Sequence, residues 1–306
     1  MKALIAVDGS SGSFEAVRQA GQLLDPSRDH VVFYYSPPSI KLDTGTAEPE
    51  VLERARTALA AAVFDEAKLK LPEGLQARVE TIVGKQSAKQ GIVTAAEKSS
   101  ADLIAVGARG LGPIERLLLG SVSQSVVHSA HVPVFVARPR PAERKQQPPR
   151  VLVACKSANE DAYLVEVLNG FHWPAGTQGF TISVAPSMFA GQVPKWLEQR
   201  ARSAEVEAMA QAWVAEHDAE IQNKREEMAT FQCRLPEPFR GNEPIVVEGH
   251  AADQILATIN HEKIDLVVLA ARTPSSVARL LMGSTSETVL THAPCSVLVV
   301  REPIKG

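Results

Sequence analysis

The feature that most constrains the fold of this chain is an internal repeat. The segment Asp102–Arg138 aligns without gaps on Asp265–Arg301, with 15 of 37 positions identical. The start of the chain repeats as well, since Lys2–Val7 resembles Arg150–Cys155. A period of about 150 residues is too long for a solenoid unit and matches the usual size of a whole domain. The chain of 306 residues is therefore predicted to contain two copies of one domain.

Each copy alternates apolar strand patterns with helical patterns, which predicts a parallel sheet covered by helices on both faces. The expected fold class is α/β, with two tandem doubly wound five-stranded parallel-sheet domains. The strands predicted in the first copy are Ala3–Val7, Val31–Tyr35, Leu75–Val83, Asp102–Val106 and Val132–Ala137, and its helices are Ser13–Leu24, Val51–Leu71, Ser87–Lys98 and Ser121–Ser129. The second copy is predicted to contain strands at Arg150–Cys155, Gly179–Val184, Pro244–Val247, Leu266–Ala270 and Ser296–Val300, and a long helix at Trp196–Met228.

A glycine-rich stretch follows the predicted fourth strand. Two residues separate Gly107 from Gly110, nine more follow, and Gly120-Ser121 then opens a helix. Glycine lets the backbone approach a ligand closely and supports turns that aim several N–H groups at one point. The free N–H groups and the positive dipole end of a helix N-terminus favour an anion. The spacing predicts a phosphate site, and turn glycines beside a well-capped helix are the alternative.

Together with Asp8 at the end of the first strand, this spacing resembles the nucleotide-binding branch of the universal stress protein family, whose fold is similar to that of the adenine nucleotide alpha hydrolases. The resemblance covers nearly the whole chain, strongly in the first copy and in degraded form in the second. It implies an ATP-binding protein of stress response or signalling, with ADP or AMP as alternative ligands and Mg²⁺ accompanying the nucleotide. Such a protein would act through nucleotide-dependent conformation and contact with a protein partner that the sequence does not identify.

Ligands of doubly wound sheets bind at the carboxyl ends of the strands, where Asp8, Ser36 and Gly84 fall. The resemblance implies that Asp8 accepts hydrogen bonds from a ribose or an adenine amine, although Asp in such a turn commonly caps a helix instead. It implies that the Ser36 backbone meets the adenine edge and that Gly84 admits the adenosine, with an ordinary loop start and a plain turn as the alternatives. The predicted nucleotide site comprises Asp8, Ser36, Gly84, Val106, Gly107, Arg109, Gly110, Gly120, Ser121, Val122 and Ser123.

The second copy serves as an internal control for this site. It has Lys156 in place of Asp8, Ala270 in place of Gly107, and Thr273 in place of Gly110, while Gly283-Ser284 matches the helix start. Lysine cannot accept a ribose hydrogen bond, and a β-carbon at position 270 is expected to crowd the ligand's phosphates. The second copy is therefore predicted to bind no nucleotide, or to bind one differently.

The segment Pro139–Pro149 is charged, carries several prolines and lacks apolar periodicity, which favours a linker. The predicted domains are 1–139 and 150–306, joined by a linker at 140–149. Family members commonly dimerise through their final strands, and here both copies of that strand lie in one chain. We therefore expect an internal pseudo-dimer in which Val132–Ala137 pairs with Ser296–Val300. Pairing of each edge with another molecule, as in a homodimer, is the alternative.

Composition limits the remaining classes of function. A net charge of −3 argues against a nucleic-acid partner, and no apolar run reaches membrane-spanning length. The three cysteines lack metal-ligand spacing and suit a reducing cytoplasm. No catalytic residue or protein-bound metal is assigned. A weak ATPase or adenylating enzyme is the second hypothesis, although Asp8–Ser13 lacks the residue order of the adenylating signature. A scaffold that binds no nucleotide is the third.

Overall fold

The computed structural model describes residues 1–37, 49–110, 119–156, 162–185, 204–271 and 282–301. Its strands are β1 Lys2–Ala6, β2 His30–Tyr35, β3 Val79–Val83, β4 Leu103–Gly107, β5 Val134–Ala137, β6 Arg150–Ala154, β7 Gln178–Ala185, β8 Ile245–Glu248, β9 Leu266–Ala271 and β10 Ser296–Arg301. Its helices are α1 Ser11–Gln22, α2 Pro49–Lys68, α3 Glu73–Gln76, α4 Ala88–Lys98, α5 Ser121–Ser129, α6 Ala162–Gly170, α7 Ala204–Cys233, α8 Ala251–His261 and α9 Ser284–His292. Short 3₁₀ turns lie at Ala142–Arg144 and Glu237–Phe239.

The described strands form one ten-stranded sheet in the order β3-β2-β1-β4-β5-β10-β9-β6-β7-β8. Strands β1–β5, here called the N-terminal half, are parallel to one another, and so are strands β6–β10, the C-terminal half. The halves meet at β5 and β10, which pair antiparallel with Phe135 opposite Leu298. This is the predicted pairing of the two final strands, formed within one chain. Each half switches strand order between its first and fourth strands, where doubly wound folds bind ligands.

Both faces of the sheet are buried, which explains why its central strands are continuous apolar runs. One core contains Phe135 and Leu298 and is covered by α1, α2, α6 and α7. The other contains Val136 and Val297 and is covered by α4, α5, α8 and α9. Each core extends across the β5–β10 junction. The two halves therefore share their hydrophobic cores as well as their sheet.

Buried ion pairs hold the predicted linker in place. Arg140 donates through Nε and Nη2 to the two carboxylate oxygens of Asp265, both at 3.0 Å, and Arg144 reaches the same carboxylate. The backbone N–H of Arg150 donates to Asp265 at 2.8 Å. The counterpart of this aspartate, Asp102, accepts the equivalent bond from the Lys2 backbone at 2.7 Å and is exposed. The segment expected to be a simple spacer is thus bound to the start of β9.

One arginine of each half donates hydrogen bonds to backbone carbonyls of the other half. Arg138 follows β5 and donates to the carbonyls of Leu290 and Cys295, in and after α9. Arg301 ends β10 and donates to the carbonyl of His128 in α5 at 2.9 Å. A guanidinium near a helix C-terminus satisfies carbonyls that the helix leaves open. Burial lowers the pKa of both arginines. The exchange extends the contact between the halves from the strands to the helices.

The structure corrects some predicted bounds. Strand β3 begins at Val79 rather than Leu75. Pro72 precedes a helical turn in which Leu75 donates to the Pro72 carbonyl and packs into the core, so this part of the apolar run is not extended. Helix α7 continues five residues beyond the predicted end at Met228, to Cys233. The predicted start of that helix, Trp196, lies outside the described residues, as does Thr273.

Candidate functional site

A cavity of about 290 Å³ lies at the carboxyl ends of β1, β2 and β4. We call it the N-terminal cavity. Ten of the eleven predicted site residues line it, and Gly84 is the exception. The sheet register explains the convergence, since Ala6 of β1 lies beside Tyr34 of β2, and Ile5 lies beside Ala105 of β4. The lining residues that the sequence prediction missed are Ala6, Val7, Ser13, Tyr34, Ala88 and Ile92.

Asp8 stands in the turn between β1 and α1, and it is not the cap of the helix. The cap of α1 is Ser10, whose side chain accepts from the N–H of Ser13 at 3.1 Å. The Oδ1 atom of Asp8 accepts from the Ser10 N–H at 3.0 Å, which orients the carboxylate. Gly9 has a φ of +83°, a conformation that favours glycine. The capping alternative for Asp8 is therefore wrong, and its carboxylate lines the cavity.

The first two glycines of the motif make room for other atoms of the protein itself. A β-carbon on Gly107 would lie 2.6 Å from the carbonyl carbon of Gly12, and one on Gly110 would overlap Oδ2 of Asp8. A β-carbon on Gly12 would in turn overlap the carbonyl of Arg109. The glycine segment and the β1–α1 turn are thus pressed together. These glycines shape the cavity by close packing of two loops, whereas the sequence prediction had them clear space for a ligand.

The N-terminus of α5 forms another part of the cavity lining. Its cap, Gly120, has φ −75° and ψ 150°, which any residue can adopt, and its N–H donates to the Ala108 carbonyl at 2.7 Å. Ser123 is buried and its hydroxyl donates to the Gly107 carbonyl at 2.6 Å. That hydroxyl therefore braces the strand end, and the exposed Ser121 hydroxyl is the one placed to face a ligand. The backbone N–H groups of the first turn have no partners within the helix.

Tyr34 and Ser36 lie two residues apart at the end of β2 and so share a face of the sheet. Burial raises the pKa of Tyr34, and its interaction with Ser36 offsets this only in part. The Ser36 hydroxyl donates to the Gln86 carbonyl at 2.8 Å. A β-carbon at Gly84 or at Gly91 would overlap the Tyr34 hydroxyl. Gly84 is therefore placed behind Tyr34 rather than at the cavity surface.

Two further signals could have extended the sequence prediction. Ala88 and Ile92 stand four residues apart near the start of α4, which places both on one helix face. Tyr34 shares its strand face with Ser36, which was predicted.

Arg109 lines the cavity as expected, and its charge helps to lower the pKa of the buried Arg138. Burial raises the pKa of Tyr35, which lies on the face of β2 opposite to Tyr34, and the charge of Asp8 adds to this effect.

Comparison with known proteins follows the same division of the chain. The sequence profile of the universal stress protein family matches residues 1–138 and 193–301. This chain belongs to the universal stress protein family. A universal stress protein of Methanocaldococcus jannaschii is 31% identical over 140 residues, which cover 45% of this chain and 81% of the relative.

Two solved structures of the family are similar to this chain. One is a universal stress protein of Archaeoglobus fulgidus, with a TM-score of 0.59, 21% identity and 98% coverage of both chains. At that identity it shows a shared fold across the whole chain. The other is an Arabidopsis thaliana family protein solved with AMP bound, with a TM-score of 0.31, 19% identity, and coverage of 48% of this chain and 97% of its own. Some solved members of the family thus hold an adenine nucleotide.

No helix in the described ranges is both long enough and apolar enough to span a bilayer. Within the same ranges, no cluster of three or more His, Cys, Asp or Glu side chains is arranged to hold a metal ion.

Proposed function

We propose that the N-terminal cavity binds an adenine nucleotide, with ATP as the first candidate and ADP and AMP as alternatives. The observation that carries this proposal is the presence of two complementary chemistries in one cavity. The Asp8 carboxylate, an acceptor, and the open N–H groups at the start of α5 both line it. A nucleotide matches this arrangement because its ribose hydroxyls and amine are donors and its phosphates are anions.

The other lining residues are consistent with a nucleoside. Ile92, Ala88 and Val106 give an apolar surface for a base, and Ser36 provides a polar group at the end of β2. The volume of about 290 Å³ lies at the small end of the range for organic ligands, near 300 Å³. Mg²⁺ would be bound by the phosphates and water, since it usually retains several waters and takes few protein ligands.

We propose a signalling role for the bound nucleotide in a stress response, within domains at 1–139 and 150–306. The glycine segment is connected to the junction of the halves, because the Ala108 N–H donates to the Ala137 carbonyl of β5 at 2.8 Å. A nucleotide that moves this segment would act on β5 and, through it, on β10. Asp8 is the one carboxylate among the described lining residues, and no imidazole accompanies it there. This set favours binding over hydrolysis.

Equilibrium dialysis with radiolabelled ATP tests the proposal. Asp8→Asn retains an oxygen for the Ser10 N–H but removes the charge, and it should weaken binding about tenfold, as expected for loss of a charged hydrogen bond. Lys156→Asn, the counterpart change in the C-terminal half, should leave ATP affinity unaltered. Undiminished ATP binding by Asp8→Asn, or no binding of any adenine nucleotide by the unmodified chain, would refute the assignment. Steady phosphate release that Asp8→Asn abolishes would favour the enzyme hypothesis.

A further inference from the structure

A second cavity, of about 470 Å³, occupies the equivalent position in the C-terminal half. We call it the C-terminal cavity. It lies at the carboxyl ends of β6, β7 and β9 and at the N-terminus of α9. The sheet register shows that the two cavities lie at equivalent strand positions, since Ala154 pairs with Ile182 just as Ala6 pairs with Tyr34. The lining of the two cavities can therefore be compared position by position.

The polar groups suited to a nucleoside have been replaced by apolar ones. Ile182 stands where the N-terminal cavity has Tyr34, and Val184 stands where it has Ser36. Ile255 and Leu269 continue the apolar surface. A base or a ribose bound here would leave its donors and acceptors without partners, at a cost of about 1–3 kcal/mol for each buried group. The walls of the C-terminal cavity therefore favour a ligand with an apolar body.

One end of the C-terminal cavity carries groups that favour an anion. Lys156 lines it at the position of Asp8, so a cation replaces an acid. Gly283 caps α9 with φ −60° and ψ 145°, which leaves the first N–H groups of that nine-residue helix facing the cavity end. The same chain thus presents a positive charge and a helix N-terminus to one cavity.

Ser286 adds a hydroxyl group at this end. The residue lines the cavity and is only 8% exposed. The hydroxyl of its counterpart, Ser123, donates to the Gly107 carbonyl at 2.6 Å. The structure shows no equivalent bond from the Ser286 hydroxyl to a described residue, so this hydroxyl can donate to an anion bound in the cavity.

We infer that the C-terminal cavity binds a small organic anion with an apolar body, such as an aliphatic or aryl carboxylate. The carboxylate would lie between Lys156, Ser286 and the start of α9, and the hydrocarbon would lie against Ile182, Val184 and Ile255. This inference is independent of the proposed function, because it concerns a different cavity and a different class of ligand.

Methyl NMR of the full chain, labelled at isoleucine δ1 methyls, tests the inference with octanoate as the probe and octanol as its uncharged counterpart. Octanoate should shift the Ile182 and Ile255 methyls while leaving Ile92, in the N-terminal cavity, in place. Octanol should bind at least about tenfold more weakly, because it lacks the charge-assisted hydrogen bonds. No shift at Ile182 and Ile255, or equal binding of octanol, would overturn the inference.

The variant Lys156→Asp sharpens the test. It places at this exposed position the acid that the N-terminal half has at the equivalent position, so the fold should survive. Octanoate affinity should fall at least about tenfold. Lys98→Asp makes the same charge change at an exposed lysine at the end of α4 and should leave affinity unaltered. Unchanged octanoate binding by Lys156→Asp would overturn the inference, and so would ATP shifting Ile182 and Ile255 where octanoate does not.

Discussion

The two halves of this molecule have the same frame and different linings. In both, a cavity opens between the first, second and fourth strands and the helix that follows the fourth. The N-terminal cavity has Asp8, Tyr34 and Ser36 where the C-terminal cavity has Lys156, Ile182 and Val184. The helix start is common to both. The shared backbone thus places a helix N-terminus, which favours an anion, at each cavity, and the two cavities differ in a few side chains at the strand ends.

The two halves have separate cavities, but their hydrophobic cores are continuous. The largest effect on stability should follow from disrupting the cores where the halves meet. Phe135→Asp puts a carboxylate at a position that is 1% exposed and pairs with Leu298. Loss of the ring alone costs about 3–5 kcal/mol, and the buried charge adds to it. Urea denaturation followed by circular dichroism should show global destabilisation. Val83→Asp, on a residue 45% exposed, should change the midpoint little. A Phe135→Asp protein with the unaltered midpoint would mean that β5 and β10 do not join the halves.

The next effect separates two aspartates in equivalent positions. Asp265→Asn leaves the guanidinium groups of the buried Arg140 and the partly buried Arg144 without their carboxylate and should cost about 3–5 kcal/mol. Asp102→Asn loses only the charge opposite an exposed backbone N–H and should cost less than about 1 kcal/mol. Chemical denaturation of both variants gives the difference. Equal costs would show that the linker contributes nothing through Asp265.

A third comparison concerns ligand binding rather than stability. Both helix-cap glycines have backbone angles open to any residue, so neither Gly120→Val nor Gly283→Val should force an unfavourable backbone angle. A β-carbon at Gly120, which lines the N-terminal cavity, would lie 3.2 Å from the Ala108 carbonyl, whereas one at Gly283 meets nothing within 4 Å among the described residues. Gly120→Val should weaken ATP binding at least about tenfold, and Gly283→Val should not alter it. Calorimetric titration with ATP measures both. Matched losses would indicate nucleotide in both cavities.

The smallest effect expected is that of the divalent ion. Phosphates held by N–H groups at α5 retain charge that Mg²⁺ would neutralise. EDTA should therefore weaken ATP binding a few-fold and leave AMP binding nearly unchanged. The same dialysis experiment with and without Mg²⁺ gives this ratio. Equal ATP affinity in both conditions would argue for a nucleoside mono- or diphosphate held without metal.

The sequence predicted much of this fold because its signals are local or repeated. The strand–helix alternation and the alignment of Asp102–Arg138 with Asp265–Arg301 were enough to predict the parallel sheets, and the resemblance to the family added the pairing of the final strands. The prediction failed at Leu75, where an apolar residue enters the core from a helical turn, since burial and extended structure look alike in a short apolar run.

The parts of the candidate site that follow from a local sequence pattern could be predicted. The parts that depend on packing between distant segments were harder to predict. The glycine spacing located the wall made by α5. It gave the wrong reason for Gly107, whose lack of a β-carbon leaves room for the backbone of Gly12, ninety-five positions earlier in the chain. It also could not show that Gly84 lies behind Tyr34 or that Arg140 is buried against Asp265. These are contacts between distant segments, and no local pattern reports them.

The most direct test of the account is an ATP titration, with Mg²⁺ present, of the full chain labelled at isoleucine δ1 methyls. Ile92 lines the N-terminal cavity, and Ile182 and Ile255 line the C-terminal cavity, so one spectrum reports on both. We predict that ATP shifts the Ile92 methyl and leaves Ile182 and Ile255 unmoved. Shifts at Ile182 and Ile255, or none at Ile92, would contradict the assignment of the nucleotide to the N-terminal half.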